Sequence, residues 1–484
     1  MSGTIQFLLG GEPHAVAGLP PTTTVLQYLR RHARLTGTKE GCAEGDCGAC
    51  TVLVSAPDGA GGLTHSAVNA CIQFLPTLHG RALSTVEHLE GGTGRLSPVQ
   101  QALVDLHGSQ CGFCTPGFAV QLHAAWRNGG LGDRQAVKDA VAGNLCRCTG
   151  YGPIVEAGLR AAVVPVPPSL LRREADLAAR LLALDDGAML NYAHGGQTWL
   201  MPRGLDELCR TYASHPEATL VAGATDVGLW VTKQHRHLST LIDVTRVPEM
   251  RRIDGGEDGS LRIGGACTHG AAHRALAALH PDLGELMRRF AGLQIRTAGT
   301  VGGNIANGSP IGDLAPALIA LDATLVLNRA GFRRSLPIGD FFLAYGRQDR
   351  APGEFVERID VPPLAADMRF ACYKLSKRFD SDISAVMAAF RVRVREGRVA
   401  EARLAFGGMA ATPKRAPAAE AALAGVALDA AGAAAAAAAL ERDFSPITDM
   451  RASAGYRLRA AQNLIRRFAI ELAGAARTRV LEAS

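Results

Sequence analysis

Apolar residues near the start of the chain alternate with polar ones, which is the pattern of a half-buried β-strand. Residues 4–8 and 14–16 follow it on either side of a Gly-Gly turn, and residues 51–54 form another apolar strand segment. Residues 25–31 instead space their apolar side chains as one face of a helix does. A small sheet with one helix is predicted, and a cysteine-rich loop lies between the helix and the third strand.

From about residue 85 the spacing of apolar residues becomes helical. Ser97-Pro98 and Thr115-Pro116 each combine a capping residue with proline at the first helical position. Asp133 can cap a third helix, and Pro153 can open a fourth. We therefore predict four short helices, with cysteines at their ends, that form a small bundle.

The remaining pattern predicts an α+β multidomain protein. Three prolines within residues 163–170 disfavour helix and indicate an extended linker. The alanine-rich run 430–439 predicts a surface helix, while 391–394 and 454–473 predict a strand and a helix of a last α+β domain. The predicted segments are a ferredoxin-like domain 1–84, a helical domain 85–162, a linker 163–189, a glycine-rich α/β domain 190–366 and a C-terminal domain 367–484.

Length and composition narrow the class of protein. A chain of 484 residues is too long for one ordinary core, and 47% hydrophobic with 20% charged residues fits packed, soluble domains. No window reaches the roughly 18 unbroken apolar residues of a membrane span. The first residues lack the basic and then apolar pattern of a signal peptide. A cytoplasmic protein is therefore expected.

The formal net charge is +6, and arginine supplies 45 of the 51 basic residues. These arginines are scattered along the chain, which is typical of a solvated surface and does not predict a nucleic-acid stripe. Docking to an acidic face of a partner subunit stays open.

Eight of the eleven cysteines lie in the first 148 residues. In a cytosolic chain such density favours metal or cluster ligation over disulfides. The first set has the C-x4-C-x2-C-x20-C spacing of plant-type ferredoxins, in a loop of small residues that can aim backbone N–H groups at anionic sulfurs. A structural zinc site is the alternative. The set comprises Cys42, Cys47, Cys50 and Cys71.

The second set has the spacing C-x2-C-x31-C-x1-C, and each of its pairs lies between two predicted helices. Helix N-termini at Pro116 and Pro153 would bring positive dipole ends near an anionic cluster. Zinc again stays open as an alternative. The set comprises Cys111, Cys114, Cys146 and Cys148. The other three cysteines are predicted to be buried thiols, namely Cys209, Cys267 and Cys372.

Two glycine-rich loops are candidates for a phosphate site. Residues 220–228 and 297–305 each suggest an apolar strand that runs into a glycine loop, and residues 307–313 follow the second. Glycines let successive N–H groups converge on a pyrophosphate. Neither loop is a G-x-G-x-x-G or P-loop motif, and ordinary glycine turns stay open as the other interpretation.

The segments 110–117 and 143–151, QCGFCTPG and GNLCRCTGY, resemble the second [2Fe–2S] domain of molybdenum hydroxylases. The resemblance implies two [2Fe–2S] clusters, the first in a β-grasp domain near a flavin and the second in a helical bundle nearer a molybdopterin. It also places Gln110 on the route to the molybdenum cofactor, unless it is simply a polar residue at a helix end.

The glycine loops resemble the two FAD loops of the same family, whose flavin domain is of the vanillyl-alcohol-oxidase type. The implied FAD residues are Leu220, Val221, Ala222, Gly223, Ala224, Thr225, Asp226, Thr300, Gly303, Asn304, Asn307, Ser309 and Asp313. Relatives often carry asparagine where this chain has Ala224. Asp313 also precedes an apolar segment that it can cap as a helix.

Three further residues are assigned by the resemblance. Phe290 matches an aromatic residue that lies against the isoalloxazine, with core packing as its alternative. Lys374 and Arg378 belong to a segment that borders the flavin where NAD approaches, and a charged surface turn is equally compatible with their sequence.

The order cluster, cluster, FAD without a molybdopterin domain resembles the small subunit of two-subunit bacterial xanthine dehydrogenases. Residues 445–451 match the C-terminal domain of that flavoprotein. The resemblance implies a molybdopterin-binding large subunit, a heterotetramer of two small and two large subunits, and no catalytic residue for purine chemistry in this chain.

By the same resemblance, hypoxanthine and xanthine are hydroxylated to urate on the partner, and electrons pass through the second and first clusters to FAD and NAD⁺. Two alternatives stay open. One is a related hydroxylase that acts on aldehydes or N-heterocycles with oxygen or another acceptor. The other is a scaffold without enzymatic activity that holds two zinc ions.

Overall fold

The computed structural model describes residues 3–89, 95–474 and 478. These residues group into two compact units. The first contains the residues up to Pro248 together with Ala291–Gly299, and the second contains Glu249–Phe290 and the residues from Thr300 onward. Helices and several separate sheets occur in both units, which confirms the predicted multidomain α+β architecture. No helix in the described ranges combines the length and the apolar character needed to cross a membrane.

The first unit begins with a five-stranded sheet of the ferredoxin type. Ile5 and Phe7 are fully buried while Gln6 is exposed, as the alternating pattern predicts. A capping box at Thr24 starts the helix Val25–Gln27, which continues as the π-helical turn Tyr28–His32. The sheet order is Glu12–Val16, Ile5–Leu9, Ala82–Ser84, Thr51–Pro57 and Leu63–Asn69, with 3₁₀ turns at Leu75–Leu78 and Val86–His88.

Four helices follow, as predicted. Ser97 forms a capping box with Gln100, and the Asp133 carboxylate accepts the N–H of Ala136 at 2.8 Å. The prediction for Thr115 is wrong, because Cys114 occupies the N-cap position and the Thr115 hydroxyl donates to Ser109. The helices are Pro98–Asp105, Thr115–Arg127, Arg134–Val141 and Gly152–Ala162.

The predicted linker is not extended throughout, because it contains the helix Pro168–Leu184. Proline disfavours helix only in the interior; at the first helical position its fixed φ suits a helix start. Leu181 is 1% exposed and packs with Leu8 and Ala82 of the sheet. Glu174 of this helix pairs with Arg127.

The first unit also contains a mixed four-stranded sheet. The short strand Thr219–Val221 runs parallel to Thr240–Asp243 and leads into the first glycine loop. The sheet order is Leu190–His194, Gln197–Met201, Thr240–Asp243 and Thr219–Val221, and the helices are Leu205–Ser214, Val227–Thr232 and Leu293–Ala298. A 3₁₀ turn covers Pro248–Arg251.

The second unit contains an antiparallel five-stranded sheet covered by helices. Its order is Ile253–Gly255, Leu261–Gly264, Glu354–Val361, Thr324–Arg329 and Phe332–Pro337. The helices are His269–Leu279, Pro281–Arg289, Val301–Asn307, Leu314–Ala320 and Ile338–Phe341, and a ribbon pairs Phe342–Ala344 with Arg347–Gln348.

The C-terminal part of this unit packs helices on a four-stranded sheet. The predicted surface helix is Ala430–Asp443, but one of its faces is in the core, since Ala433 and Ala436 are at most 1% exposed. The predicted helix 454–473 is observed as Ala454–Leu472. The sheet order is Met368–Leu375, Val386–Arg395, Arg398–Gly407 and Lys414–Arg415, and the other helix is Pro417–Leu423.

Candidate functional site: two cysteine loops and two glycine loops

The first cysteine loop, residues 41–50, wraps closely around the Cys42 thiol. Its Sγ accepts the backbone N–H groups of Glu44, Asp46 and Cys47, each at 3.4 Å. Small residues allow this wrapping, since a Cβ on Gly41 would lie 2.8 Å from the Cys47 Sγ. The predicted role of the small residues, aiming N–H groups at sulfur, is confirmed for this thiol.

The four thiols of the first set lie in hydrogen-bonding contact as a row. Cys42 contacts Cys47 and Cys71, and Cys71 contacts Cys50. These contacts, together with the backbone donors, hold the pKa of Cys42 far below its ordinary value. The hydrogen bond with Cys42, in contrast, raises the pKa of Cys47. A thiolate is the form of cysteine that ligates metals.

The second cysteine loops lie at helix ends. The Cys146 Sγ accepts the N–H of Thr149 at 3.5 Å, and the N–H of Cys146 itself donates to the Tyr151 hydroxyl at 3.0 Å. Burial raises the pKa of the Cys114 thiol to about 12. The exposed Cys111 and Cys148 are hydrogen-bonded to each other, and the thiols of Cys114 and Cys146 are hydrogen-bonded as well.

The sulfur contacts thus form a row in the first set and two pairs in the second. Among residues 3–89, 95–474 and 478, no three His, Cys, Asp or Glu side chains are arranged around a single metal ion. A two-iron cluster ligated by four cysteines takes two thiolates at each iron, and each set brings four thiols together as this donor set requires. The residues present thus fit a [2Fe–2S] cluster in each set.

The two cysteine loops touch each other. The N–H of Leu145 donates to the carbonyl of Cys47 at 3.0 Å. A Cβ on Gly48, whose φ is +69°, would lie 2.4 Å from the Gly143 carbonyl oxygen. The cysteine loops of both sets are thus in backbone contact within the first unit.

The first glycine loop, residues 220–226, is also part of the first unit. Gly223 has a φ of +102°, and a Cβ there would lie 1.9 Å from the Ala298 carbonyl oxygen. Ala224 adopts a φ of +61°, which costs an alanine roughly 1–2 kcal/mol. Asparagine tolerates this backbone region better than alanine does. Burial raises the pKa of Asp226.

The residues after Cys71 hold this glycine loop in place. The Gln73 side-chain amide donates to the Gly223 carbonyl at 2.8 Å. A Cβ on Gly228 would lie 2.6 Å from the carbonyl oxygen of Ile72. No role for Gln73 is predicted from the sequence, because nothing local shows that its amide meets a carbonyl 150 residues away.

The second glycine loop differs from its prediction. Residues 297–305 do not begin with a strand; Leu293–Ala298 and Val301–Asn307 are helices. The Thr300 hydroxyl caps the second of these by accepting the N–H of Gly303 at 3.0 Å. Within the described residues, the buried Oδ1 of Asn304 has no hydrogen-bond partner. An orphaned acceptor in a glycine-rich turn fits a bound ligand with donor groups.

Asp313 does not cap the following helix, contrary to that interpretation of the sequence. Its carboxylate instead pairs with the Lys374 ammonium at 2.6 Å, and both side chains are at most 4% exposed. Ser384 completes the group, since it accepts from Lys374 at 2.9 Å and donates to Asp313 at 2.5 Å. A buried ion pair needs such extra hydrogen bonds. Ser384 was missed.

Phe290 is half-buried against the core of the second unit, and its ring centroid lies 4.7 Å from that of the buried His269. The neighbouring Arg289 binds the segment that contains Lys374. It donates to the carbonyls of Lys374 and Phe379 at 3.1 and 3.0 Å, and its guanidinium lies 4.3 Å from the Phe379 ring centroid.

Arg378 lies on the surface, where its side chain donates to Ser381 in the same turn and pairs with Asp382 at 3.7 Å. Of the three predicted buried thiols, Cys209 and Cys267 are buried and Cys372 is half-buried. The Cys372 thiol lies 3.2 Å from the carbonyl of Asp282.

Four family models match consecutive parts of the chain. They describe a 2Fe-2S iron-sulfur cluster binding domain over residues 8–73 and a [2Fe-2S] binding domain over 85–159. The FAD binding domain in molybdopterin dehydrogenase follows over 190–364, and the CO dehydrogenase flavoprotein C-terminal domain over 371–472.

The chain is similar to a carbon monoxide dehydrogenase from Hydrogenophaga pseudoflava that lacks the Mo-pyranopterin moiety of the molybdenum cofactor. The identity is 30% and the TM-score 0.53, over 56% of this chain and 94% of that one. The chain belongs to the molybdenum hydroxylase family. Within this family it carries two [2Fe–2S] domains, an FAD-binding domain and the C-terminal flavoprotein domain.

Curated relatives in the molybdenum hydroxylase family include two with different names. Xanthine dehydrogenase of Drosophila subobscura is 34% identical over 86% of this chain and 35% of the relative. Aldehyde oxidase 2 of Cavia porcellus is 31% identical over 86% of this chain and 36% of the relative. The chain thus spans about a third of the length of the curated relatives it matches.

Proposed function

We propose that this chain is the iron–sulfur and FAD subunit of a xanthine dehydrogenase, working with a molybdopterin-binding partner subunit. The observation that carries this proposal is that the two cysteine loops and the first glycine loop contact one another in succession within the first unit. The Cys146 loop is hydrogen-bonded to the Cys47 loop, and Gln73, two residues beyond Cys71, is bonded to the first glycine loop. Four matched family models in the same order support this assignment.

The cysteines hold the two clusters, and their surroundings suit thiolates. Backbone N–H groups around Cys42 and Cys146 stabilise negative charge on sulfur, and a fixed network of this kind needs no rearrangement when charge changes. The ligands are Cys42, Cys47, Cys50 and Cys71 for the first cluster and Cys111, Cys114, Cys146 and Cys148 for the second.

Both glycine loops fall within the matched FAD-binding domain, and the residues proposed for FAD belong to that domain or to the one that follows it. Gly223 gives the backbone its close turn, and the buried Asn304 Oδ1 is available as an acceptor. The proposed residues are Leu220, Val221, Ala222, Gly223, Ala224, Thr225, Asp226, Phe290, Thr300, Gly303, Asn304, Asn307, Ser309, Asp313 and Lys374.

When bound, the clusters exchange single electrons and FAD couples these to a two-electron acceptor, which we propose is NAD⁺. The chain's own contribution is to hold the binding segments. Arg289 fixes the backbone of Lys374 and Phe379, and the Lys374–Asp313–Ser384 group anchors the same segment inside. Arg378 lies on the outer turn of this segment, which is the proposed approach of NAD⁺.

The second cysteine loops face solvent, which suits electron entry from another polypeptide. Cys111 and Cys148 are exposed, and Phe113 and Leu145 beside them are 48% and 37% exposed. We propose that the molybdopterin subunit docks here and hydroxylates hypoxanthine and xanthine, in a cytoplasmic heterotetramer of two small and two large subunits. Purine chemistry then requires no catalytic residue from this chain.

Co-expression of the chain with its molybdopterin partner, followed by anaerobic isolation, tests the proposal. We expect about four irons and one FAD for each copy of this chain, and xanthine-dependent reduction of NAD⁺. A preparation that contains about two zinc ions and no iron, or one that is inactive with every purine tried, would contradict it.

A second candidate is a related hydroxylase that acts on aldehydes or N-heterocycles with oxygen or another acceptor. The similarity to an aldehyde oxidase, at 31% identity, favours it specifically. The same complex tested with purines, aldehydes and azaheterocycles, each with NAD⁺ and with oxygen, separates the two candidates by the substrate that gives the largest kcat/KM.

A further inference from the structure

A buried hydrogen-bonded network joins three distant segments of the first unit. Its members are Thr51, Asn144 and Gln294, each at most 2% exposed. The Gln294 Nε2 donates to Asn144 Oδ1 at 2.8 Å and to Thr51 Oγ1 at 3.1 Å. The Asn144 Nδ2 donates to the Gly48 carbonyl at 3.0 Å, and the Thr51 hydroxyl donates to the same carbonyl at 2.6 Å.

Each member lies beside a segment that the proposed function assigns to a cofactor. Gly48 and Thr51 flank Cys50 in the first cysteine loop, and Asn144 is two residues before Cys146. Gln294 belongs to the segment Ala291–Gly299, which in sequence separates Phe290 from the Thr300 loop. One glutamine amide thus connects both cysteine loops with the segment Ala291–Gly299.

The packing around this network leaves little freedom for a different arrangement. A Cβ on Gly143 would lie 2.1 Å from the Gln294 Oε1 and 3.0 Å from the Gly292 Cα. The Gln294 Oε1 is buried and has no hydrogen-bond partner among the described residues. Burying such an unpaired acceptor costs free energy of desolvation, which an apolar side chain would avoid. The amide is retained at a cost, which points to a role for its Nε2 donor.

We propose that Gln294 is a positioning residue whose amide, acting through Asn144 and Thr51, fixes the spacing of the two cysteine loops and anchors the segment Ala291–Gly299 to them. By fixing that spacing it sets the rate at which an electron leaves one cofactor and enters the next. This inference rests on the proposed function, because it requires that the loops hold clusters and that the chain binds FAD.

The test is Gln294→Leu, which removes both donated hydrogen bonds and keeps a side chain of similar size. Gln121→Leu is the matched control, since Gln121 is fully buried in the same unit and neither of its side-chain polar atoms has a partner in the described ranges. Both variants remove a buried amide, but only one breaks the network. The control is expected to fold normally, because removal of an unpaired buried amide is neutral or stabilising.

Three measurements are made on the full complex. Iron, sulfide and FAD contents come first, followed by the magnetic interaction between the two reduced clusters in EPR, which reports their separation. Flash photoreduction then delivers one electron to the protein, and paired absorbance changes of flavin and clusters follow its redistribution. Once each absorbance change is converted to electron equivalents, the two changes must be equal and opposite, since the electron that one group loses the other gains.

We expect Gln294→Leu to keep its irons and FAD, to change the cluster interaction, and to slow redistribution roughly tenfold, as loss of an outer-shell partner commonly does. Gln121→Leu should match the unaltered protein in all three measurements. An unaltered interaction and rate in Gln294→Leu would overturn the inference.

If Gln294→Leu does not fold, Thr51→Val decides the question, because it removes one hydroxyl of the network at nearly constant volume. A redistribution rate equal to that of the unaltered protein would then overturn the inference. Absence of iron or flavin from the unaltered protein refutes the proposed function instead, so the two failures are distinguishable.

Discussion

The two sets of four cysteines differ in how deeply the protein buries their thiols. In the first, Cys50 and Cys71 are 2% and 3% exposed and lie at strand ends of a sheet. In the second, Cys111 and Cys148 are exposed at helix ends. Gln73, two residues beyond Cys71 of the first set, is hydrogen-bonded to a glycine loop, whereas the second set faces solvent. A buried site suits exchange within the chain, and an exposed site suits exchange with another polypeptide.

The largest expected difference comes from removing one ligand of each set. Cys71→Ala and Cys148→Ala should each lose about two of four irons. Only Cys71→Ala should also lose FAD and melt at lower temperature, because Ile72 and Gln73 hold the glycine loop. Iron, flavin and thermal unfolding assays check this. Equal flavin loss in both variants would remove the distinction between the loops.

A second pair of variants compares backbone packing in the two loops. Gly48 and Gly112 have φ values of +69° and +83°, so alanine costs roughly 1–2 kcal/mol at either position. A Cβ on Gly48 would also meet the Gly143 carbonyl at 2.4 Å, whereas a Cβ on Gly112 meets no atom of the described residues within 4 Å. Denaturant unfolding should show Gly48→Ala to be the less stable by about 2 kcal/mol or more; similar values would contradict close contact of the loops.

Acid should also lower the folding stability of the four-helix region more than that of the region around the first cysteine set. Burial, with contributions from His65 and Arg127 against an opposing one from Glu174, lowers the pKa of His123 to about 3 from an ordinary 6.5. The folded state therefore binds fewer protons than the unfolded state below pH 6.5. Stability present above that pH is lost as pH falls towards 3, at about 1.4 kcal/mol per unit.

His123→Leu should accordingly flatten the difference in unfolding free energy between pH 7.5 and 5.5, measured with denaturant. His237→Leu, which alters an exposed histidine of the same unit, is the control. A profile of His123→Leu that declines as steeply as that of the unaltered protein would show that this histidine does not cause the sensitivity.

The smallest expected effect concerns the link between the first loop and the flavin. Gln73→Leu removes the hydrogen bond to the Gly223 carbonyl and should weaken FAD binding about tenfold, which corresponds to the 1–2 kcal/mol of one buried hydrogen bond. The affinity for FAD is measured from the release of flavin during dilution, with the absorbance of the clusters as an internal reference. Unchanged flavin affinity would mean that packing at Gly228 alone holds the loop.

Local sequence determined much of this protein. Ser97 and Asp133 start helices where their capping side chains predict, because a cap satisfies N–H groups only two or three residues away. The cysteine spacings likewise identified both sets of thiols, since a ligand loop is mostly a local structure. Proline was misleading in the segment that we predicted to be an extended linker, because Pro168 begins a helix there instead of preventing one.

Tertiary structure decided the rest, because the decisive contacts join residues far apart in the chain. Asp313 can cap a helix by its sequence, yet its carboxylate pairs with Lys374, 61 residues away. Gln294 has no local motif, yet its amide reaches Asn144 across 150 residues. Hydrogen-bond partners of buried polar groups depend on which segments the core brings together, and no local periodicity encodes that choice.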